Sequence, residues 1–598
     1  MNLIYLIKNR GVEITFFLLL LFSSCITNSN IPDGLIVVQD LWIIFVGSFF
    51  VAFFAIGNVN FRRLSFIDFG VIIFGVVVFT NTIVNNAFNV QSFILRFSFL
   101  IVYFTLKNCI DLRQVFTAES VYFVVLLLTS YQGFVGVLQL FNYLPTNVEG
   151  FPTGMFINPG TYGVFIASLA AFCISIYFYV ENNLFRYWGL VTFVIATTIV
   201  FFSESRAAEL SLFISLSALI VIKKNQMLRS LSNTNKMVFA IAFIVLNFLL
   251  IYLLFILKKD SAYGRILIWA TSFNMGLSHP IFGVGTDLFA GKYIAYQGDY
   301  LSKLESSSLN RFAGDVRYAF NFLLQFFCEG GLIYLTIIII IAILVVINLQ
   351  NELNKSQSNI SKPLLICTAL SATSLVIGSL FSYSLSITTI QVWGIVLFFI
   401  LSNDFNGKGQ YIVIGKHIKI FISVVLLVLS VFLFNYIYDR YNSFKYWGQI
   451  ENLYLNDTQK ITALNNLSKQ YPHFRYYPGY LIELANLYST TNNYINSIKL
   501  YNKAKVYSPN IAIYLGLGHC YLMLNQYHDA EKSYKTLDNA IPNMITPKYM
   551  LFKLYRSNNE KNKWEDIAKR IIAFKPKIET FYTDSIKREM ILHLKNND

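Results

Sequence analysis

Apolar residues along this chain come in long unbroken runs, not in the every-second or every-third-to-fourth rhythm of half-buried strands and helices. Crossing ~30 Å of hydrocarbon takes a helix of about 17–25 apolar residues. Runs of that kind fall at 11–27, 41–57, 64–82, 89–106, 116–140, 159–180, 187–202, 206–222, 237–257, 331–349, 363–383, 389–402 and 418–437. The pattern predicts about 12–13 transmembrane helices, with 187–202 and 389–402 the shortest. Polar residues return in two long stretches, 258–317 and 438–598.

Charge in the short connections gives a direction to the crossings, because Lys and Arg are retained on the cytoplasmic side. With Lys8 and Arg10 inside, every second connection is basic: Arg62 and Arg63, then Lys107 and Arg113, then Arg186, then Lys223, Lys224, Arg229 and Lys236. Lys355 and Lys362, then Lys408, Lys416 and Lys419, continue the series. The intervening loops 28–40, 83–88, 141–158, 203–205 and 384–388 contain no Lys or Arg. This places 258–317 outside as a large loop and 438–598 outside as a tail, which in a bacterium means the periplasmic face of the inner membrane. Lys8, Arg10, Phe16–Phe22 and then Ser23-Ser24-Cys25 resemble a cleaved lipoprotein signal. Phe22 fits that pattern poorly and many spans follow, so an uncleaved first helix is expected.

Composition agrees. Of 598 residues, 55% are hydrophobic and only 13% charged, which excludes a soluble enzyme, a disordered scaffold and a disulfide-stapled secreted domain. The six cysteines are scattered without a CxxC, so no zinc ribbon is suggested. No acidic pair or His cluster for a metal occurs on the external side, and no cofactor is implied. Much of the net charge of +15 reflects the alternation of basic loops and implies no nucleic-acid partner.

The tail repeats with a period of about 33 residues. Leu481, Leu484, Ala485, Tyr488, Ser497, Tyr501, Ala504 and Pro509 are followed by Tyr514, Leu517, Gly518, Tyr521, Ala530, Tyr534, Leu537 and Pro542. A further unit closes at Pro576, and 455–472 forms a partial leading one. The pattern matches the tetratricopeptide repeat: small residues where two helices cross, aromatics in the groove and Pro at the end. Such a short solenoid could hold a polypeptide, or could equally be a lid packed on the membrane domain. The predicted fold is therefore all-α: a polytopic membrane helix bundle over 1–437 and a periplasmic helical repeat domain over 438–598.

Ionisable groups away from the cytoplasmic side of a membrane protein tend to be functional, because they are expensive near lipid. Arg96 within the fourth span, Arg206 opening the eighth, and Arg265 and Arg317 in the external loop are of this kind. A guanidinium donates two parallel hydrogen bonds to a phosphate and stays charged, so such a group could grip a lipid-linked pyrophosphate and stabilise charge on the leaving group. Snorkelling to headgroups is the bland alternative.

Three segments resemble the O-antigen ligase and polymerase family of bacterial membrane glycan enzymes, which includes protein O-oligosaccharyltransferases. These are Ser203-Glu204-Ser205-Arg206-Ala207-Ala208; Gly264-Arg265 with Trp269, then His279-Pro280-Ile281-Phe282-Gly283-Val284-Gly285 and Phe289; and Ala319-Phe320-Asn321-Phe322-Leu323-Leu324-Gln325 with Glu329, Gly331 and Leu332. The stretch Gly154-Met155-Phe156-Ile157-Asn158-Pro159 fits a fourth family pattern. The resemblance implies a GT-C-like fold and metal-independent transfer of a glycan from undecaprenyl pyrophosphate to an acceptor hydroxyl, on lipid A-core or on protein Ser/Thr, at the periplasmic face. It implies that Arg206 and Arg265 bind and activate the pyrophosphate, with Arg96, Arg317, Asn321, Trp269 and Glu204 as further substrate contacts. The family's ligases carry a His before the Asn. Here that place is Phe320, which takes no proton, so Asp315, Glu329 or Glu204 is left as base, or Arg clamping suffices. Alternatives are a repeat-unit polymerase and, in other classes, a transporter or flippase or a non-enzymatic assembly protein.

Overall fold

The computed structural model of the chain describes residues 18–26, 33–56, 61–62, 64–86, 88–109, 118–229, 259–304, 308–354, 362–403, 411–412, 416–451, 457–576 and 579–595. Most of the first predicted crossing and all of 237–257 lie outside these residues. Each of the other predicted crossings coincides with a helix. In chain order these are α1 (Gly34–Ile56), α2 (Phe66–Val84), α3 (Val90–Cys109), α4 (Ala118–Leu140), α5 (Pro159–Tyr179), α6 (Asn183–Phe202) and α7 (Arg206–Arg229). After these come α8 (Lys259–Ser278), α9 (Phe289–Ser302), α10 (Phe322–Asn354), α11 (Lys362–Leu380), α12 (Thr388–Ser402) and α13 (Lys416–Glu451). Eight of the described helices are long and apolar enough to cross a membrane. The chain is a multi-pass, all-helical membrane protein. The β structure among the described residues is a two-residue antiparallel pairing of Phe61–Arg62 with Tyr411–Ile412 and an isolated antiparallel bridge between Val148 and Phe151.

Two compact units are distinguished. The first comprises Met1–Val76, Val90–Leu257 and Thr336–Glu451. Its centre is α5, buried nearly all round by α4, α6, α7 and α11. A helix apolar on every side has to be enclosed in this way or face lipid. Small residues permit the close approach: a Cβ on Gly189 would lie 2.8 Å from the Cys173 carbonyl, and one on Gly378 2.5 Å from Val164. Hydroxyls supply the polar glue between these helices. Ser168 Oγ donates to the Ser371 carbonyl at 2.9 Å, Ser371 Oγ returns a bond to the Ser168 carbonyl at 2.8 Å, and Trp393 Nε1 donates to Ser168 Oγ at 2.9 Å. The opposite pattern holds on α13, where Phe421, Val428, Val431 and Phe432 are all more than half exposed, as a lipid-facing stripe requires. A buried ion pair, Lys107 to Asp68 at 2.9 Å with Tyr103 donating to Asp68 at 2.7 Å, ties α3 to α2.

The second unit comprises Val77–Asn89, Lys258–Leu335 and Asn452–Asp598. The stretch read from sequence as an external loop is largely helical, with α8, α9 and a short 3-10 turn at Ser308–Phe312. Beyond Asn452 the helices run in antiparallel succession: α14 (Asp457–Phe474), α15 (Pro478–Thr490), α16 (Tyr494–Tyr507), α17 (Ile511–Met523), α18 (Tyr527–Ala540), α19 (Ile545–Ser557), α20 (Lys561–Ile572) and α21 (Phe581–Lys595). Glycines let aromatic rings into the crossings: a Cβ on Gly516 would stand 2.3 Å from the Tyr501 ring, and one on Gly518 2.2 Å from Tyr534. Helix α9 lies against α16 and α18 through a glycine face. A Cβ on Gly291 would fall 1.9 Å from the Val506 carbonyl oxygen. Two turns further on, Gly298 faces the backbone of Ala540. Buried Gln297 donates to the carbonyls of Ala540 (2.8 Å) and Gly314 (3.0 Å), and Asn543 donates to those of Arg311 (2.9 Å) and Ala313 (3.1 Å).

Candidate functional site

In the first unit, the Gly154–Pro159 stretch and the Ser203–Ala208 stretch come together. Gln139 on α4 accepts from the amides of Thr153 (2.9 Å) and Gly154 (2.7 Å) and donates to the Pro145 carbonyl (2.9 Å). Asn147 donates to the Phe156 carbonyl at 2.8 Å. Gly154 has φ +55° and lies flat on the Tyr162 ring, where a Cβ would approach to 2.4 Å. Only glycine suits that combination of left-handed backbone and close contact. Asn158 then caps α5, its side chain accepting from the Gly160 amide at 2.7 Å. Ser205 Oγ donates to the Gly160 carbonyl at 3.2 Å, and a Cβ on Gly163 would meet Ser203 Oγ at 2.6 Å, so the turn before α7 is seated on the first turn of α5.

Glu204 within that turn is exposed and left-handed (φ +48°), an uncommon state for a residue with a side chain. Arg206, half-buried, is the first residue of α7. A cation at a helix N-terminus sits at the unfavourable end of the helix dipole, whereas an anion bound there is favoured by both dipole and guanidinium. Glu209, one turn along, lies within electrostatic reach of Arg206. Arg96 is half-buried on α3 in this same unit.

The second unit holds the other predicted residues. Arg265 and Trp269 are one turn apart on α8 and both half-buried. The Arg265 guanidinium stands 5.9 Å from the centre of the Phe320 ring. Phe320 has φ +53°, a genuine outlier for a bulky side chain. Its neighbours hold it there. Gln325 accepts from the Ala319 amide at 2.8 Å, while the Asn321 side chain accepts from the amides of Leu323 (3.0 Å) and Leu324 (3.1 Å), capping α10. The same Gln325 donates to Glu329 Oε1 at 2.7 Å. Asn321 and Glu329 are thus engaged in the turn itself, Glu329 buried and Asn321 half-buried. Asp315 and Arg317 are exposed, with no partner among the described residues. His279 is also exposed.

The Pro280–Thr286 segment interlocks with a break in α10 at Gly331 (φ 63°, ψ −157°). Val284 N–H donates to the Cys328 carbonyl at 2.7 Å, Gly285 N–H to that of Glu329 at 3.1 Å, and Leu332 N–H to that of Pro280 at 2.8 Å. Backbone meets backbone on both sides: a Cβ on Gly283 would lie 2.3 Å from the Glu329 carbonyl carbon, and one on Gly331 2.3 Å from the Ile281 oxygen. Asn81, a residue the sequence reading passed over, locks this segment. It donates to the Phe282 carbonyl at 2.7 Å and accepts from the Thr286 amide and hydroxyl at 2.8 and 2.9 Å. Thr286 in turn shares a 2.6 Å bond with the Tyr334 hydroxyl. An amide near the end of an apolar run (Asn81, before Asn85 and Asn86) was the available signal.

Residues 191–339 match the O-antigen ligase family. The matched segment includes Glu204, Arg206, Arg265, Trp269, Asp315, Arg317, Asn321 and Glu329, whereas Arg96, the Gly154–Pro159 stretch and the tail lie outside it. The match supports a membrane glycan enzyme of the O-antigen ligase or polymerase type. No curated protein matches the chain.

Proposed function

We propose that the protein transfers a glycan from undecaprenyl pyrophosphate to an acceptor hydroxyl at the periplasmic face of the bacterial inner membrane. The observation that carries the reading is that a segment matching the O-antigen ligases contains two half-buried arginines, one at the N-terminus of α7 and one on α8 against an aromatic ring. In this scheme Arg206 and Arg265 hold the pyrophosphate, with the exposed Arg317 as a further contact. The acceptor oxygen attacks the anomeric carbon, the bond to the phosphate oxygen breaks, and undecaprenyl pyrophosphate leaves with its charge held by the guanidinium groups. The acceptor proton passes to a carboxylate. Solvent-exposed Asp315 suits that role better than Glu329, which is buried and already receives the Gln325 amide. Phe320 in place of the family His favours a protein acceptor or a growing glycan over lipid A-core. The tail is a tetratricopeptide-like platform for a polypeptide.

The test is in a deletion strain complemented with variants at normal membrane levels. Arg206→Ala and Arg265→Ala are each expected to abolish glycan attachment. Retained attachment in both variants would favour a transporter or an assembly protein. Comparing the glycan state of lipid A-core with that of periplasmic proteins in the deletion strain identifies the acceptor.

A further inference from the structure

Phe320 combines two features that are independent of each other. Its backbone is left-handed, a conformation unfavourable for a residue that carries a β-carbon, and neighbouring bonds from Ala319 to Gln325 and from Leu323 and Leu324 to Asn321 hold it there. Its ring is within cation–π range of Arg265. Strain held by the surrounding structure at one residue points to a conformation that does something there. In a right-handed or extended conformation the same backbone would send the side chain elsewhere.

We propose that Phe320 is a positioning residue for Arg265. Its ring is the face on which the guanidinium rests, so that the Arg265 donors are presented to a pyrophosphate already oriented. This rests on the reading of Arg265 as a pyrophosphate contact. A phenyl ring suits that task where an imidazole does not: it cannot become protonated and repel the guanidinium, and its negative face attracts a cation at any pH. Phe320 therefore serves the donor side of the site, and proton transfer falls to other groups.

The experiment measures binding of a soluble polyprenyl pyrophosphate probe, geranyl pyrophosphate, to the full-length protein in detergent. It uses Phe320→Leu, Phe320→Tyr, Arg265→Ala and the Phe320→Leu/Arg265→Ala pair, with thermal unfolding followed alongside. Phe320→Leu keeps an apolar side chain and the same left-handed penalty but loses the ring. It is expected to weaken probe binding about 2–5-fold at unchanged thermal midpoint. Phe320→Tyr should restore affinity to within about 2-fold. In the Arg265→Ala background, Phe320→Leu should have no further effect, a coupling that a merely structural role would not produce. An equal loss from Phe320→Leu with and without Arg265 overturns the positioning role while leaving Arg265 as a pyrophosphate contact. Unchanged binding in Arg265→Ala overturns that contact, and the positioning role with it.

Discussion

Placing a single methyl group on Gly283 tests the interlock between the Pro280–Thr286 segment and the break in α10. At φ +67°, alanine costs about 1 kcal/mol relative to glycine from the backbone alone. The added Cβ would stand 2.3 Å from the Glu329 carbonyl carbon, 2.5 Å from its oxygen and 2.5 Å from Gly330 N. None of these atoms is the end of a flexible side chain, so the backbones must part. Overpacking of this kind costs about 1–3 kcal/mol, and separation also strains the bonds from Val284 to Cys328 and from Gly285 to Glu329. The sum is about 2–4 kcal/mol, with the Glu329 turn displaced. Gly264→Ala is the matched control, since nothing lies within 4 Å of a Cβ there and the residue is inside α8. It should be neutral or stabilising by about 0.5–1 kcal/mol. The assay is thermal unfolding of the purified full chain in detergent, with amide hydrogen exchange over 280–286 and 328–333. Gly283→Ala should lower the midpoint by several degrees and deprotect both segments. If Gly283→Ala and Gly264→Ala unfold and exchange alike, the interlock does not hold the turn.

Gly291→Ala should loosen α9 from α16 and α18 at a cost of about 1–3 kcal/mol, because the atoms nearest the new Cβ are backbone atoms of Lys505 and Val506; faster proteolysis within 289–314 is the readout. Buried Lys548 bonds Asp538 at 2.7 Å and the carbonyls of Pro542 and Met544, so Lys548→Met, which leaves Asp538 with Arg570 alone, should destabilise the repeat helices by about 2–4 kcal/mol in chemical unfolding. Burial tends to raise the Glu531 carboxyl pKa, but bonds from Lys535 and Tyr555 and the charges of Lys535 and Lys563 outweigh it and hold the carboxyl below its usual range. Its contribution is therefore fully present above the unfolded value of about 4.3 and lost as pH falls through the lower folded value. Glu531→Gln should accordingly flatten the acid limb of tail unfolding below pH ~4, and an unchanged acid limb would contradict this sign.

The positions of the membrane helices were legible because the hydrocarbon core admits only long apolar helices, a one-dimensional requirement that each run from 41–57 to 418–437 meets or misses by itself. The short runs near 187–202 and 389–402 both correspond to helices, Asn183–Phe202 and Thr388–Ser402, of which only the first is long and apolar enough to span a membrane. In the tail, Gly518 and Tyr534, singled out by their spacing, do meet where two helices pack, a Cβ on Gly518 lying 2.2 Å from the Tyr534 ring. The motifs could be located but not interpreted: that Asn321 and Gln325 fold the turn that holds Phe320 depends on hydrogen-bond geometry that residue types do not specify. Partners distant in the chain were invisible. Asn81 reaches Phe282 and Thr286, and Gln297 reaches Ala540, across roughly two hundred residues or more, with no local pattern to mark either pairing. Bilayer solvation acts on each segment separately and so is written along the chain, whereas backbone-to-backbone contacts such as Gly283 on Glu329 exist only once distant segments have been packed together.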